Sequence, residues 1–122
     1  MDITPLTPKG RHIISAYGNG GFVINETSHK SNILILSDRV VSWQVDDWGA
    51  ATMESLQPLL QMPPEILLIG SGSQFMLLAP NLREWLRSQH IAVDVMDTGA
   101  ACRTYNVLAG EDRRVAAALI AV

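Results

Sequence analysis

The last quarter of the chain leaves few choices of fold. Asp97 and Thr98 are both residue types that cap a helix by accepting a hydrogen bond from the first-turn N–H groups. Gly110 stands thirteen residues after Asp97, where a helix opened there would stop. The charged run Glu111 to Arg114 follows, and then Val115 to Val122 carries no polar side chain. Its alanines favour a helix on propensity. As a helix, however, it would be apolar on every side. After a glycine stop and a charged turn, a buried closing strand fits better.

The preceding segment supplies a sheet for that strand. Ile66 to Ile69 is a continuous apolar run bounded by turn residues, the mark of a central strand covered on both faces. Gly70-Ser71-Gly72-Ser73 then makes a sharp loop. Pro80 suits the first turn of a helix whose Leu82, Trp85 and Leu86 are buried while Arg83, Glu84 and Arg87 face water. His90 lies at its end, and Ile91 to Met96 is the next strand. Strand, helix and strand in this span form a βαβ unit, so the two strands are expected to run parallel with a right-handed crossover.

The N-terminal half is less regular. Residues 1–11 hold Pro5, Pro8 and Gly10 and read as a loose lead-in. His12 to Ala16 and Phe22 to Asn25 are short strands around the turn cluster Gly18 to Gly21, and together suit a hairpin. Asn32 to Leu36 gives a third strand. Val40 to Val45 alternates, with Val41, Trp43 and Val45 on one face. Thr52 suits the cap of a helix bearing Met53, Leu56, Leu59 and Leu60, which Pro58 makes short, kinked or split.

One domain over residues 1–122 is expected from the length. Hydrophobic residues are 48% of the chain, which argues against disorder. A net charge of −3 lacks the basic footprint of a nucleic-acid binder. The single cysteine, Cys102, excludes an internal disulfide and suits a reducing compartment. No stretch is long enough to span a bilayer, so no direct membrane insertion is expected. The first residues carry neither a signal-peptide core nor a transit signature, and the expected location is the cytoplasm.

Chemistry has one candidate place. If the strands from Ile66 and Ile91 are parallel, the Gly70–Ser73 and Asp97–Gly99 loops leave the same sheet edge, where open α/β sheets bind ligands. Backbone N–H groups of Gly70, Ser71, Gly72 and Ser73, the start of the helix at Asp97 or Thr98, and Arg103 one turn inside it suit a small anion or a nucleotide-like ligand. Against this, Phe75 stands where a dinucleotide fingerprint needs its third glycine, and no NTPase phosphate loop is present. Tight turns need glycine for backbone reasons alone.

Cys102 near a helix start invites a thiolate reading, but His12, His29 and His90 are scattered and a buried core role competes. Asp38, Asp46, Asp47 and Asp97 pair with no histidine at ligand spacing, so no metal and no cofactor is expected. No catalytic set emerges. Trp48 is the better interface candidate of the two tryptophans flanking Asp46-Asp47, with Trp43 as readily in the core. Arg113 and Arg114 either pair with Glu111 and Asp112 or meet a partner.

The blocks Leu68-Ile69-Gly70-Ser71-Gly72-Ser73, Met96 to Leu108 and Arg113 to Leu119, with Trp43, resemble a small family of archaeal, bacterial and mitochondrial proteins. It includes the mitochondrial respiratory complex I assembly factor 3. The resemblance runs from about Ile14 to Ile120. It implies a three-layer α/β fold: a mixed central sheet, helices packed on it and a small extra β layer. It also implies action by binding other proteins, and supplies no catalytic residue. The expected function is therefore a non-enzymatic interaction or assembly factor with protein partners, in an oligomeric state the sequence leaves open. The alternative is a ligand binder or enzyme using the Gly70/Asp97 crevice.

Overall fold

The computed structural model describes residues 12–122; the expected lead-in over residues 1–11 lies outside the described residues. Ten elements follow in order: β1 (Ile14–Gly18), β2 (Gly21–Ile24), β3 (Thr27–His29), β4 (Ile33–Ile35), β5 (Val40–Ser42), β6 (Ile66–Gly70), α1 (Pro80–Ser88), β7 (Ala92–Met96), α2 (Thr98–Gly110) and β8 (Val115–Leu119). Two 3-10 segments, Trp48–Ala50 and Glu54–Gln61, lie between β5 and β6.

The central sheet has the order β5-β4-β8-β6-β7. β8 is the middle strand, as a run without polar side chains requires, and all five of its residues are buried. It runs parallel to β6, with Ile66 opposite Val115 and Gly70 opposite Leu119. β6 is parallel to β7, while β4 pairs antiparallel with both β8 and β5. The sheet is therefore mixed.

Alternation splits the core into two. On one face Ile33, Ile35, Leu68, Ala117 and Leu119 pack with Ala101, Cys102, Tyr105 and Ala109 of α2 and with Ile14, Phe22 and Ile24 of the small sheet β1-β2-β3. On the other face Leu34, Leu67, Ile69, Ala116 and Ala118 pack with Leu82 and Leu86 of α1, Leu56 and Leu59 of the 3-10 segment, and Trp43. This is the expected three-layer α/β arrangement, with the extra β layer on the α2 side.

The small sheet is two antiparallel hairpins. Asn19 and Gly20 turn the first with φ of 54° and 79°, and Asn25 and Glu26 turn the second with φ of 48° and 71°. Consecutive left-handed residues match the right-handed twist of the flanking strands. β3 has no counterpart in the sequence reading, because Thr27 and Ser28 are exposed and offer no apolar alternation.

Several boundaries move for physical reasons. β5 ends at Ser42, yet Val41, Trp43 and Val45 do face one core as the alternation predicts. Pro58, which lacks an N–H, leaves Glu54–Gln61 as a 3-10 helix instead of an α-helix. Thr52 still serves as its lead: the Ser55 N–H donates to Thr52 Oγ1 at 3.2 Å. Gly110 is the last helical residue of α2 and not its left-handed stop. That role falls to Asp112, φ 65°. Its N–H donates to the Ala109 carbonyl, and the Arg113 N–H reaches back to Leu108, which together form a Schellman cap. α1 ends in the same way at His90, with φ 62°.

Candidate functional site

Because β6, β7 and β8 are parallel, their C-terminal ends reach one rim. The loops after β6 and β7 and the tail after β8 meet there. Asp97 is the N-cap of α2: its Oδ1 accepts from the Ala100 N–H at 2.9 Å. Thr98 is the first helical residue, and it is wholly buried.

Thr98 clasps the rim together. Its hydroxyl accepts from the Gly72 N–H at 2.9 Å and donates to the Ile120 carbonyl at 2.7 Å. Its own N–H donates to the Gly72 carbonyl at 2.8 Å. Gly70 lies directly beneath; a Cβ there would come within 2.9 Å of the Thr98 Cα. Gly72 has φ +110°, a conformation that excludes most side chains.

The serines divide. Ser71 is buried; its N–H donates to the Met96 carbonyl, its hydroxyl donates to the Gln74 carbonyl at 2.7 Å, and the Met76 N–H donates to Ser71 Oγ at 3.1 Å. Ser73 is exposed. Arg103 is turned toward the small sheet, where its Nη1 donates to the Tyr17 hydroxyl at 2.9 Å. So Gly70 to Ser73, Asp97 and Thr98 are brought together, while Arg103 is engaged one turn away. The N–H groups of Ser71, Gly72 and Thr98 all end on protein acceptors.

Cys102 is buried on the core face of α2, and burial pushes its thiol up to about 12. Tyr105 is raised to about 12 by the same cause. So placed, Cys102 packs in the core beside Ala101 and Tyr105. Arg113 meets Glu65: the Nε lies 3.3 Å from Oε1, and this bond with the Arg114 N–H holds the Glu65 carboxyl below its ordinary value. Among the described residues no group of three metal-ligating side chains forms.

Trp48 leads to a feature the sequence reading missed. Its indole Nε1 donates to the Leu77 carbonyl at 3.1 Å, joining residues 29 apart. Leu77 belongs to an apolar ridge between β6 and α1. Phe75, Met76 and Leu77 are 57%, 47% and 78% exposed, and Leu78 beside them is buried and anchors the loop. Trp48 lines two open grooves next to this ridge. One, about 570 Å³, includes Asp47, Ser71 and Met76; the other, about 400 Å³, includes Leu77, Pro80 and Arg83. The signal was four successive apolar residues, Phe75 to Leu78, in a stretch too short for an element of its own.

Comparison with known proteins places this arrangement. Among the described residues no helix is long and apolar enough to cross a membrane. An outer membrane protein of Bartonella henselae, solved by crystallography, superposes with a TM-score of 0.87 at 41% identity, covering 93% of this chain and 97% of that one. The NADH dehydrogenase (ubiquinone) 1 alpha subcomplex assembly factor 3 of Xenopus tropicalis is 35% identical over 109 residues, 88% of this chain and 60% of its own length. The chain thus spans about 60% of that relative. The 13 kDa major membrane protein of Francisella tularensis is 29% identical over 106 residues and is covered over 86% of its length. A family model described as protein of unknown function (DUF498/DUF598) matches residues 14–120. The chain belongs to that family, which includes the complex I assembly factor 3 proteins.

Proposed function

We propose that the chain acts by binding other proteins, as an assembly factor without chemistry of its own. Its similarity to assembly factor 3 supports this reading. The observation that carries it is the Phe75–Leu77 ridge, held up beside Trp48. Contiguous apolar surface of this kind marks interaction sites, and tryptophan is enriched where interfaces gain their energy. The partners fitting the comparison are subunits or assembly factors of respiratory or other membrane complexes. Arg114, exposed at the opposite end of β8, offers a second contact. Affinity capture from the source cell tests the reading. Reproducible recovery of such subunits supports it; a retained metabolite with no protein partner contradicts it.

A second reading keeps the rim as a site for a small anion. Its support is the convergence of the Gly70–Ser73 and Asp97–Gly99 loops at a helix start. It requires donors now bonded to protein to open toward the ligand. Titration with inorganic phosphate and nucleotides, followed by amide chemical shifts at Gly70 to Ser73, decides it. Shifts confined to those amides favour it, and none discards it.

A further inference from the structure

The face around Trp48 carries both a protrusion and a recess. Phe75, Met76 and Leu77 stand out of the surface, and the open grooves lie alongside them, with Trp48 lining both. A surface that offers a knob and the hollow next to it can fit a copy of itself related by a two-fold axis. The charges suit the same operation. Asp47 lines the groove shared with Met76, and Arg83 lines the groove shared with Leu77. Neither side chain has a hydrogen-bonded or ion-paired partner among the described residues. Trp48 lines both grooves, and in a two-fold arrangement centred on it Asp47 of each copy would meet Arg83 of the other.

We infer that the chain associates as a two-fold homodimer, the Phe75–Leu77 ridge of each copy seated in the groove beside Trp48 of the other and flanked by two Asp47–Arg83 pairs. The inference rests on the reading of this face as a protein-binding surface, and adds that its occupant in the free protein is a second copy. A lipid surface fits less well. The adjacent carboxylates Asp46 and Asp47 are exposed and would face anionic headgroups. An external client and the second copy would compete for one face.

Sedimentation velocity of the full chain over a concentration series tests this. The wild type is expected to dimerise reversibly. Leu77→Asp places charge at a position already exposed in the monomer, so its fold is retained, and it is expected to remain monomeric. Asp47→Arg and Arg83→Asp are each expected to weaken dimerisation about tenfold or more, and the double exchange to restore it. Amide spectra confirm that each variant is folded. A wild type that stays monomeric throughout overturns the inference. So does a dimer unaffected by Leu77→Asp, or an exchange that weakens association further. A wild type that is monomeric yet recovers protein partners from cells overturns the dimer alone and leaves the binding function standing.

Discussion

Thr98 shows what single residues do here. Its buried hydroxyl joins the loop after β6 to the tail after β8. Thr98→Val keeps the shape but orphans the Gly72 N–H and the Ile120 carbonyl. It should cost about 3 kcal/mol in urea unfolding, whereas Thr98→Ser should cost much less. The sequence offers Asp97 and Thr98 as alternative caps. It did not reveal that the second would bond to two distant segments, because both partners are backbone groups 26 and 22 residues away. Glu26 is the converse case. A non-glycine residue at φ 71° pays a local steric cost, so Glu26→Gly should raise stability by about 1 kcal/mol. Cys102 and Tyr105 set a pH dependence. Both ionise at lower pH in the unfolded chain than in the folded one. Their contribution is complete below about pH 9 and is lost as pH rises toward about 12, because over that range the unfolded chain releases protons that the native state keeps. Chemical denaturation across this range should show falling stability, with a shallower fall in Cys102→Ala.

At the scale of elements, the apolar patterns that a sheet must bury were the readable part. Val115 to Leu119 forms the middle strand despite alanine's helical preference, because a run apolar on both sides can be satisfied only between two covered faces. Ile66 to Gly70 follows the same logic. β3 was not readable, and for α1 and α2 the sequence placed the ends, near His90 and at Gly110, but not the left-handed stops that make them. Their cues are left-handed residues at Glu26, His90 and Asp112, where glycine would have announced them. β7 carries a further consequence as a sheet edge. Its residues alternate, with Ala92 and Asp94 exposed. A charge on an edge strand discourages pairing with another chain. Asp94→Val is therefore expected to leave the fold intact and to raise light scattering on prolonged incubation. Unchanged scattering would remove Asp94 from that role.

The whole molecule brings together what no local pattern shows. The parallel β6 and β7 and the shared rim follow from a βαβ unit, and were legible from strand and helix spacing alone. The pairing of Trp48 with Leu77 was not, since it depends on how the two 3-10 segments fold over the second face of the sheet. That pairing also alters the balance between the two functional readings. At the rim, the N–H groups of Ser71, Gly72 and Thr98 are spent on joining three segments. At the ridge, the apolar side chains of Phe75, Met76 and Leu77 are exposed. A molecule of this form is expected to work through its surface.

Quantitative affinity capture with the wild type and with folded Leu77→Asp, run in parallel from the same cells, tests that expectation most directly. The account predicts that partners recovered with the wild type fall to background with Leu77→Asp, while Ser73→Ala at the rim retains them. Equal recovery with Leu77→Asp, or loss only with the rim variant, would contradict it.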